Sequence, residues 1–316
     1  MAIERIAIDP MKDRAAWLQL RAGFITASDV PAVCGFGLYH SAARVWAEKR
    51  GLLAQADMND AMLRGIIGEP AVFRAIEWHY PDWELKQAKV FLADRAARLG
   101  ATPDGAAIVP DRPGIVVVQC KVIAAPVFRA DWLADPDDDL QFGAATPPLA
   151  YRLQTLTETM LAEASSGVLA VLVVDAFKWV LRLFWVERHP GSEAAIRDKV
   201  ATFWRDYLDP GVQPPIDGRL DEDLVKRLFP QDDGTEIDLT GDNEMPALVD
   251  GLIAARGDKK DAEGREKEAK TIIAAKIGEA SFARIADGRR VSNKVQHRAA
   301  YEVKPTSFRI LKVMAS

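Results

Sequence analysis

The residues able to do chemistry in this 316-residue chain gather around one stretch, GATPDGAAIVPDRPGIVVVQCKV, residues 100–122. Asp104 falls on a Thr-Pro-Asp-Gly turn, where Gly105 permits a tight backbone. A β-like run follows and ends in Gln119-Cys120-Lys121. Two apart on a strand, Gln119 and Lys121 share a face. Hydrolysis of a phosphodiester near neutral pH needs an activated water and relief of charge on the phosphate, which one or two Mg²⁺ ions on a few carboxylates supply. An amine nearby can orient or deprotonate the water. Asp104, the Cys120 carbonyl and Glu69 on a preceding helix are candidate oxygen donors, and Lys121 is the candidate amine. The same residues also fit a plain turn and hairpin, with Glu69 an ordinary helix-surface charge. A buried Gln119 needs hydrogen-bond partners in either case.

The elements that must position these groups follow from periodicity and punctuation. Helices are expected over 13–21, over SAARVWAEKRG with Gly51 as its stop, and over MNDAMLRGIIGEPAVFRAIEWHY with a kink near Pro70. Ser28 is a plausible N-cap within ITASDVPAV. The period then changes to that of strands near 87–93, 97–102, 106–109 and 114–122. PPLAYRLQTLTETMLAEASS reads as a helix entered through proline, GVLAVLVVDAFKWVLRLFWVE as a hairpin and GSEAAIRDKVATFWRDYL as a helix. This order predicts an α/β or α+β fold with a central mixed β-sheet flanked by helices. DPGVQPPIDG, residues 209–218, reads as a linker between a core, 1–208, and an extension, 219–316. The extension has a short helix, an acidic loop, a long charged helix near 244–280 and a terminal β-like segment.

Composition narrows the class. With 49% hydrophobic and 28% charged residues the chain has the balance of a soluble globular protein. No apolar run is long enough to span a bilayer, and the N-terminus has no signal core, so a cytoplasmic protein without membrane contact is expected. Cys34 and Cys120 give neither a disulfide framework nor zinc spacing. Net charge is -5, unevenly spread: residues 251–316 hold 15 Lys+Arg against 8 Asp+Glu, leaving 26 against 38 for residues 1–250. The basic tail is either a solvated surface or an arm over a DNA backbone. Arg289, Arg290, Lys294 and Arg298 are its least compensated charges.

Five segments in order resemble one family. WLQLRAGFITASDVPAVCG, RGIIGEPAVF, GATPDG, VVQCK and PPLAYRLQTLTETM are similar to the motifs of the lambda exonuclease and YqaJ-like viral recombinase family, across roughly residues 14–165. The resemblance implies a restriction-endonuclease-like core of PD-(D/E)xK type. It also implies a Mg²⁺-dependent phage or prophage exonuclease that digests duplex DNA from the 5′ end. Carried over by position, Asp104 would be the metal-bridging carboxylate, Gln119 would occupy a metal-ligand position, and Glu69 would be an auxiliary acid near the metals. Lys121 is the catalytic lysine, Arg21 and Ser28 bind the 5′-terminal phosphate, and Tyr151 and Gln154 line the cleft. Two metal ions per site, with Mn²⁺ able to substitute, a single-strand-annealing recombinase as partner and a trimeric ring are further implications. YEVKPTSFRILKV, 301–313, resembles the end of longer YqaJ-like proteins.

Gln119 departs from the pattern, since the family has Glu at this place. An amide oxygen can ligate a metal but carries no charge, so the activity is expected to be weakened or lost. A tolerated natural glutamine, an engineered substitution and a non-cleaving DNA-end-binding protein of the same fold all accommodate it.

Overall fold

Asp104 stands at a junction between two sheets. The computed structural model describes residues 2–53, 60–299 and 308–314. The elements are β1 (Glu4–Ala7), α1 (Arg14–Ala22), β2 (Ile25–Thr26), α2 (Val30–Val33), α3 (Ala42–Lys49), α4 (Asp60–His79), β3 (Glu84–Gln87), β4 (Val90–Asp94), β5 (Leu99–Ala101), β6 (Gly105–Ile108) and β7 (Ile115–Ala124). Then come α5 (Ala125–Asp131), α6 (Leu149–Ala162), β8 (Ser166–Val174), β9 (Trp179–Glu187), α7 (Pro190–Phe203), which runs into a π-helical turn at Trp204–Leu208, and α8 (Glu222–Leu228). The last are α9 (Met245–Ile277), β10 (Phe282–Arg284) and β11 (Arg290–Ser292).

The central sheet has the order β3-β6-β7-β8-β9 and is mixed: β7 and β8 run parallel, and the other neighbours antiparallel. A second sheet has the order β1-β4-β5-β2. The chain leaves β5 in the second sheet at Ala101 and enters β6 in the first at Gly105, with Thr102-Pro103-Asp104 between them. This is the expected α/β fold with a mixed sheet flanked by helices.

β7 is buried on both faces, which explains its run of valines. Val116, Val118 and Cys120 pack with Val72, Phe73 and Ile76 of α4. Gln119 and Lys121 fall on the opposite face, the side covered by α6. Two glycines set how closely these helices approach. A Cβ at Gly68 of α4 would lie 2.5 Å from Val122 Cγ2 on β7, and one at Gly167 of β8 would meet Thr155 Cγ2 on α6 at 2.8 Å. These contacts hold Glu69 and Glu158 beside the sheet.

Several expectations shift. α4 runs on through Pro70. The strand region holds five strands rather than four, since the 84–94 stretch divides into β3 and β4, and β1 and α5 carried no signal of their own. The expected linker 209–218 lies inside the first of two compact units, Met1–Leu228 and Phe229–Ser316. Packing explains this: Leu224 of α8 is fully buried in the main core, and buried Asp221 accepts a 2.6 Å hydrogen bond from Ser41, the N-cap of α3.

In the second unit α9 buries none of its side chains along 33 residues, and Lys259–Glu263 and Lys270–Glu266 pair along it at i,i+4. Arg289, expected to lack an acidic partner, donates to Asp287 at 2.7 Å. Arg290 and Lys294 lie over the Phe282 ring at 3.6 and 4.3 Å from its centroid. The β-like segment of the tail is the β10–β11 hairpin. Residues 308–314 form no strand, and 301–307, the rest of the family-like C-terminal motif, lie outside the described residues.

Candidate active site

Asp104 is the hub. Its Oδ2 accepts from the Cys120 peptide N–H at 2.7 Å and from Gln119 Nε2 at 2.6 Å. The strand pairing Gly105↔Val118 brings turn and strand to this distance. Gln119 is only 2% exposed, and its Oε1 has no hydrogen-bond partner. The amide orientation follows from charge: an Oε1 turned inward would face a carboxylate oxygen. The Cys120 thiol points away, into the apolar cluster under α4, and burial drives its pKa well above the usual range. Its carbonyl stays on the site side, 3.4 Å from Gln119 Nε2.

A cleft of about 430 Å³ opens over this hub, lined among others by Glu69, Asp104, Gln119, Lys121, Gln154 and Glu158. The structure therefore gathers Glu69 of α4, the Asp104 turn and the β7 pair as the motifs require. Burial, then the charge of Asp104, pushes Glu69 up to about 7, against the pull of Lys121. Asp104 itself is raised by burial, opposed by Lys121 and the Cys120 peptide N–H.

Glu158 was not singled out from the sequence. It is 1% exposed; Oε1 accepts from Gln154 Nε2 at 3.0 Å, and Oε2 has no partner. Burial and then the Asp104 charge raise it to about 8, against Gln154, Lys121 and Arg21. Its signal lay in the α6 motif: Glu158 follows Gln154 by one helical turn, on the same face.

A second pocket wall adjoins the first. Arg21 Nη2 donates to Ser28 Oγ at 2.9 Å, and its guanidinium lies 4.6 Å from the centre of the Trp17 ring. Trp17 Nε1 donates to Thr102 Oγ1 at 3.0 Å, tying α1 to the Asp104 turn. Arg21, Trp17, Thr26 and Ser28 all line the same cleft. Ser28 is not an N-cap: Asp29 precedes the four-residue α2, and Ser28 Oγ lies 3.0 Å from Thr26 Oγ1 instead. Asp29 is a further residue missed in the sequence. Burial works to raise its pKa, yet Lys49 and Arg21 prevail and hold it at about 2. Lys49 Nζ sits 2.9 Å from Asp29 and also donates to the Arg21 carbonyl at 2.9 Å, so one buried ion pair fixes the backbone that presents Arg21 and Ser28.

Tyr151 departs from expectation. Gln154 lines the cleft, but Tyr151 stacks on Trp132 with ring centres 5.4 Å apart and shares a 3.2 Å hydroxyl contact with Tyr39. Its link to the site is Lys121, whose Nζ lies 5.5 Å from the ring centre.

A divalent cation suits this donor set in part. Two buried acceptors, Gln119 Oε1 and Glu158 Oε2, lack donors, and three acids have raised pKa values. Among the described residues no three His, Cys, Asp or Glu groups stand together as a metal cage. A hard cation here would rest on few carboxylates, on neutral oxygens and on water, the manner in which Mg²⁺ is held.

The mixed sheet with flanking helices thus sets the Asp104 turn beside the Gln119-Cys120-Lys121 strand. In sequence, residues 16–165 match the model of the YqaJ-like viral recombinase domain. The fold is similar to an alkaline exonuclease from Laribacter hongkongensis, with TM-score 0.46, 18% identity, and 67% of this chain and 98% of that one covered. A phage-related exonuclease from Haemophilus somnus matches at TM-score 0.42 and 11% identity, over 61% and 97%. No curated protein matches the sequence. Among the described residues no helix is long and apolar enough to cross a membrane.

Proposed function

We propose that the chain is a metal-dependent exonuclease that degrades duplex DNA from 5′ ends and leaves single strands for an annealing recombinase. The observation that carries this reading is the convergence, in one cleft, of Asp104, Gln119, Lys121 and Glu69 with the Arg21–Ser28 pair.

Asp104, Gln119 Oε1, the Cys120 carbonyl and Glu69 would hold Mg²⁺, or Mn²⁺ in its place. A bound divalent ion supplies charge neutralisation at the phosphate and a more acidic water. Lys121 has no carboxylate partner among the described ion pairs and shares a face with Gln119; it orients or deprotonates the attacking water. Arg21, whose planar fork of donors matches phosphate geometry, binds the terminal phosphate with Ser28. Trp17 stacks on Arg21 and bonds to Thr102, which links the phosphate pocket to the Asp104 turn. On this reading the end of the duplex is the register point for cutting.

A 5′-phosphorylated duplex is therefore digested faster than a 5′-hydroxyl one, and Arg21→Ala removes most of that difference while affecting the hydroxyl substrate less. Equal rates on both substrates in the parent protein, or an unchanged preference in Arg21→Ala, contradict the pocket.

One observation favours a second reading. Gln119 satisfies Asp104 with a neutral amide, and no cage of three acids, histidines or cysteines stands among the described residues. A protein that holds DNA ends without cutting them would have these features. Absence of any divalent-dependent cleavage, with end binding retained, selects it.

A further inference from the structure

We infer that Glu158 supplies the carboxylate that position 119 lacks, so that this anionic oxygen, beside those of Asp104 and Glu69, comes from α6 rather than from β7. This rests on the metal-dependent reading above.

Three observations converge on it. Glu158 lines the cleft over Asp104, yet it is 1% exposed, and its Oε2 has no hydrogen-bond partner among the described residues. A buried carboxylate oxygen with no partner is costly, and a fold that keeps one in a polar cleft has a use for it. Glu158 also sits on the correct side of the sheet. A Cβ at Gly167 would press on Thr155 of α6, so α6 lies against the face of β7 and β8 that carries Gln119 and Lys121. Gln154, one turn earlier, holds Oε1 and leaves Oε2 free. Finally, the two unpartnered buried side-chain oxygens among the described residues are Gln119 Oε1 and Glu158 Oε2, and both belong to this cleft. A cation between them would take one neutral and one anionic oxygen, while the Gln119 amide continues to donate to Asp104. A glutamate at 119 would instead set a second anionic oxygen beside Asp104 Oδ2. The glutamine on β7 and the glutamate on α6 are thus two halves of one arrangement.

The test is Mn²⁺ binding to the full chain without DNA, by titration calorimetry and by the electron spin signal of free Mn²⁺. Four proteins are compared: the parent, Glu158→Gln, Gln119→Glu and the double variant. Glu158→Gln keeps shape and the Gln154 contact, and circular dichroism verifies its fold. Loss of an anionic ligand is expected to weaken Mn²⁺ by about tenfold or more, on the scale seen when metal surroundings are altered. Gln119→Glu placed on Glu158→Gln returns the affinity to within a few-fold of the parent. Affinity in Glu158→Gln equal to the parent overturns the inference and leaves the metal-dependent reading standing. Failure of both the parent and Gln119→Glu to bind Mn²⁺ overturns the two together. If Glu158→Gln does not fold, Glu158→Asp decides: it draws the carboxylate back on a shorter arm, and Mn²⁺ affinity in Glu158→Asp equal to the parent contradicts the inference.

Discussion

At the scale of single residues, the cleft is a place where acids are kept short of partners. Glu69 and Glu158 have pKa values raised to about 7 and about 8, mainly by burial and next by Asp104. Their folded values exceed their unfolded ones. They favour the folded state fully only below the ordinary carboxyl range, and that contribution is lost as pH rises through 7 and 8. Without divalent ions, thermal stability should therefore fall between about pH 6 and about pH 8.5. Mn²⁺ should restore more stability at the higher pH than at the lower, because the ligands must be ionised to bind it. At a hundredfold excess over Kd the gain is about 2.7 kcal/mol. Melting curves at both pH values, with and without Mn²⁺, measure this; an equal or larger Mn²⁺ gain at the lower pH contradicts it. Much of the site was legible as residue types in order: Asp104, Gln119, Lys121, Glu69, Arg21 and Gln154 do converge. Glu158 and Asp29 escaped notice because each looked like an ordinary helical or loop acid, and only burial and partners mark them. Tyr151 was misplaced, because spacing on a helix does not reveal which neighbour the ring stacks on.

Among the elements, the approach of α4 to β7 decides where Glu69 stands. Gly68 is the contact, since a methyl group there would come within 2.5 Å of Val122 Cγ2, whereas Gly65 on the same helix faces open space. Alanine in a helix interior gains about 1 kcal/mol over glycine, but forcing a methyl into a packed contact costs about 1–3 kcal/mol. Gly68→Ala is thus expected to be destabilising or at best neutral and to slow cleavage by shifting Glu69. Gly65→Ala should stabilise by up to about 1 kcal/mol with no loss of activity. Denaturant melts of both variants check the pair, and a stabilised, fully active Gly68→Ala contradicts the packing account. The longer helices and β7 to β9 were readable, since each holds its period or its apolar run over many residues. The short β1, β2 and α5 were not, because a few residues give no period and their formation rests on partners distant in sequence. The 209–218 stretch had the composition of a linker, but the burial of Leu224 beyond it carries the first unit on to Leu228.

For the molecule as a whole, the proposed function makes the first unit a nuclease that starts at DNA ends. If Arg21 and Ser28 bind the terminal phosphate as proposed, substrates without an end should be spared. The most direct measurement sets a linear duplex, labelled at its 5′ ends, beside a covalently closed circle of the same sequence, each with the full chain and Mn²⁺. Lys121→Ala serves as the comparison protein, with end binding followed in parallel. The expected result is release of 5′-labelled mononucleotides from the linear duplex, an intact circle, and loss of cleavage with binding retained in Lys121→Ala. Cutting of the circle at a similar rate, label retained while the 3′ end is consumed, or cleavage by Lys121→Ala within a few-fold of the parent would contradict it.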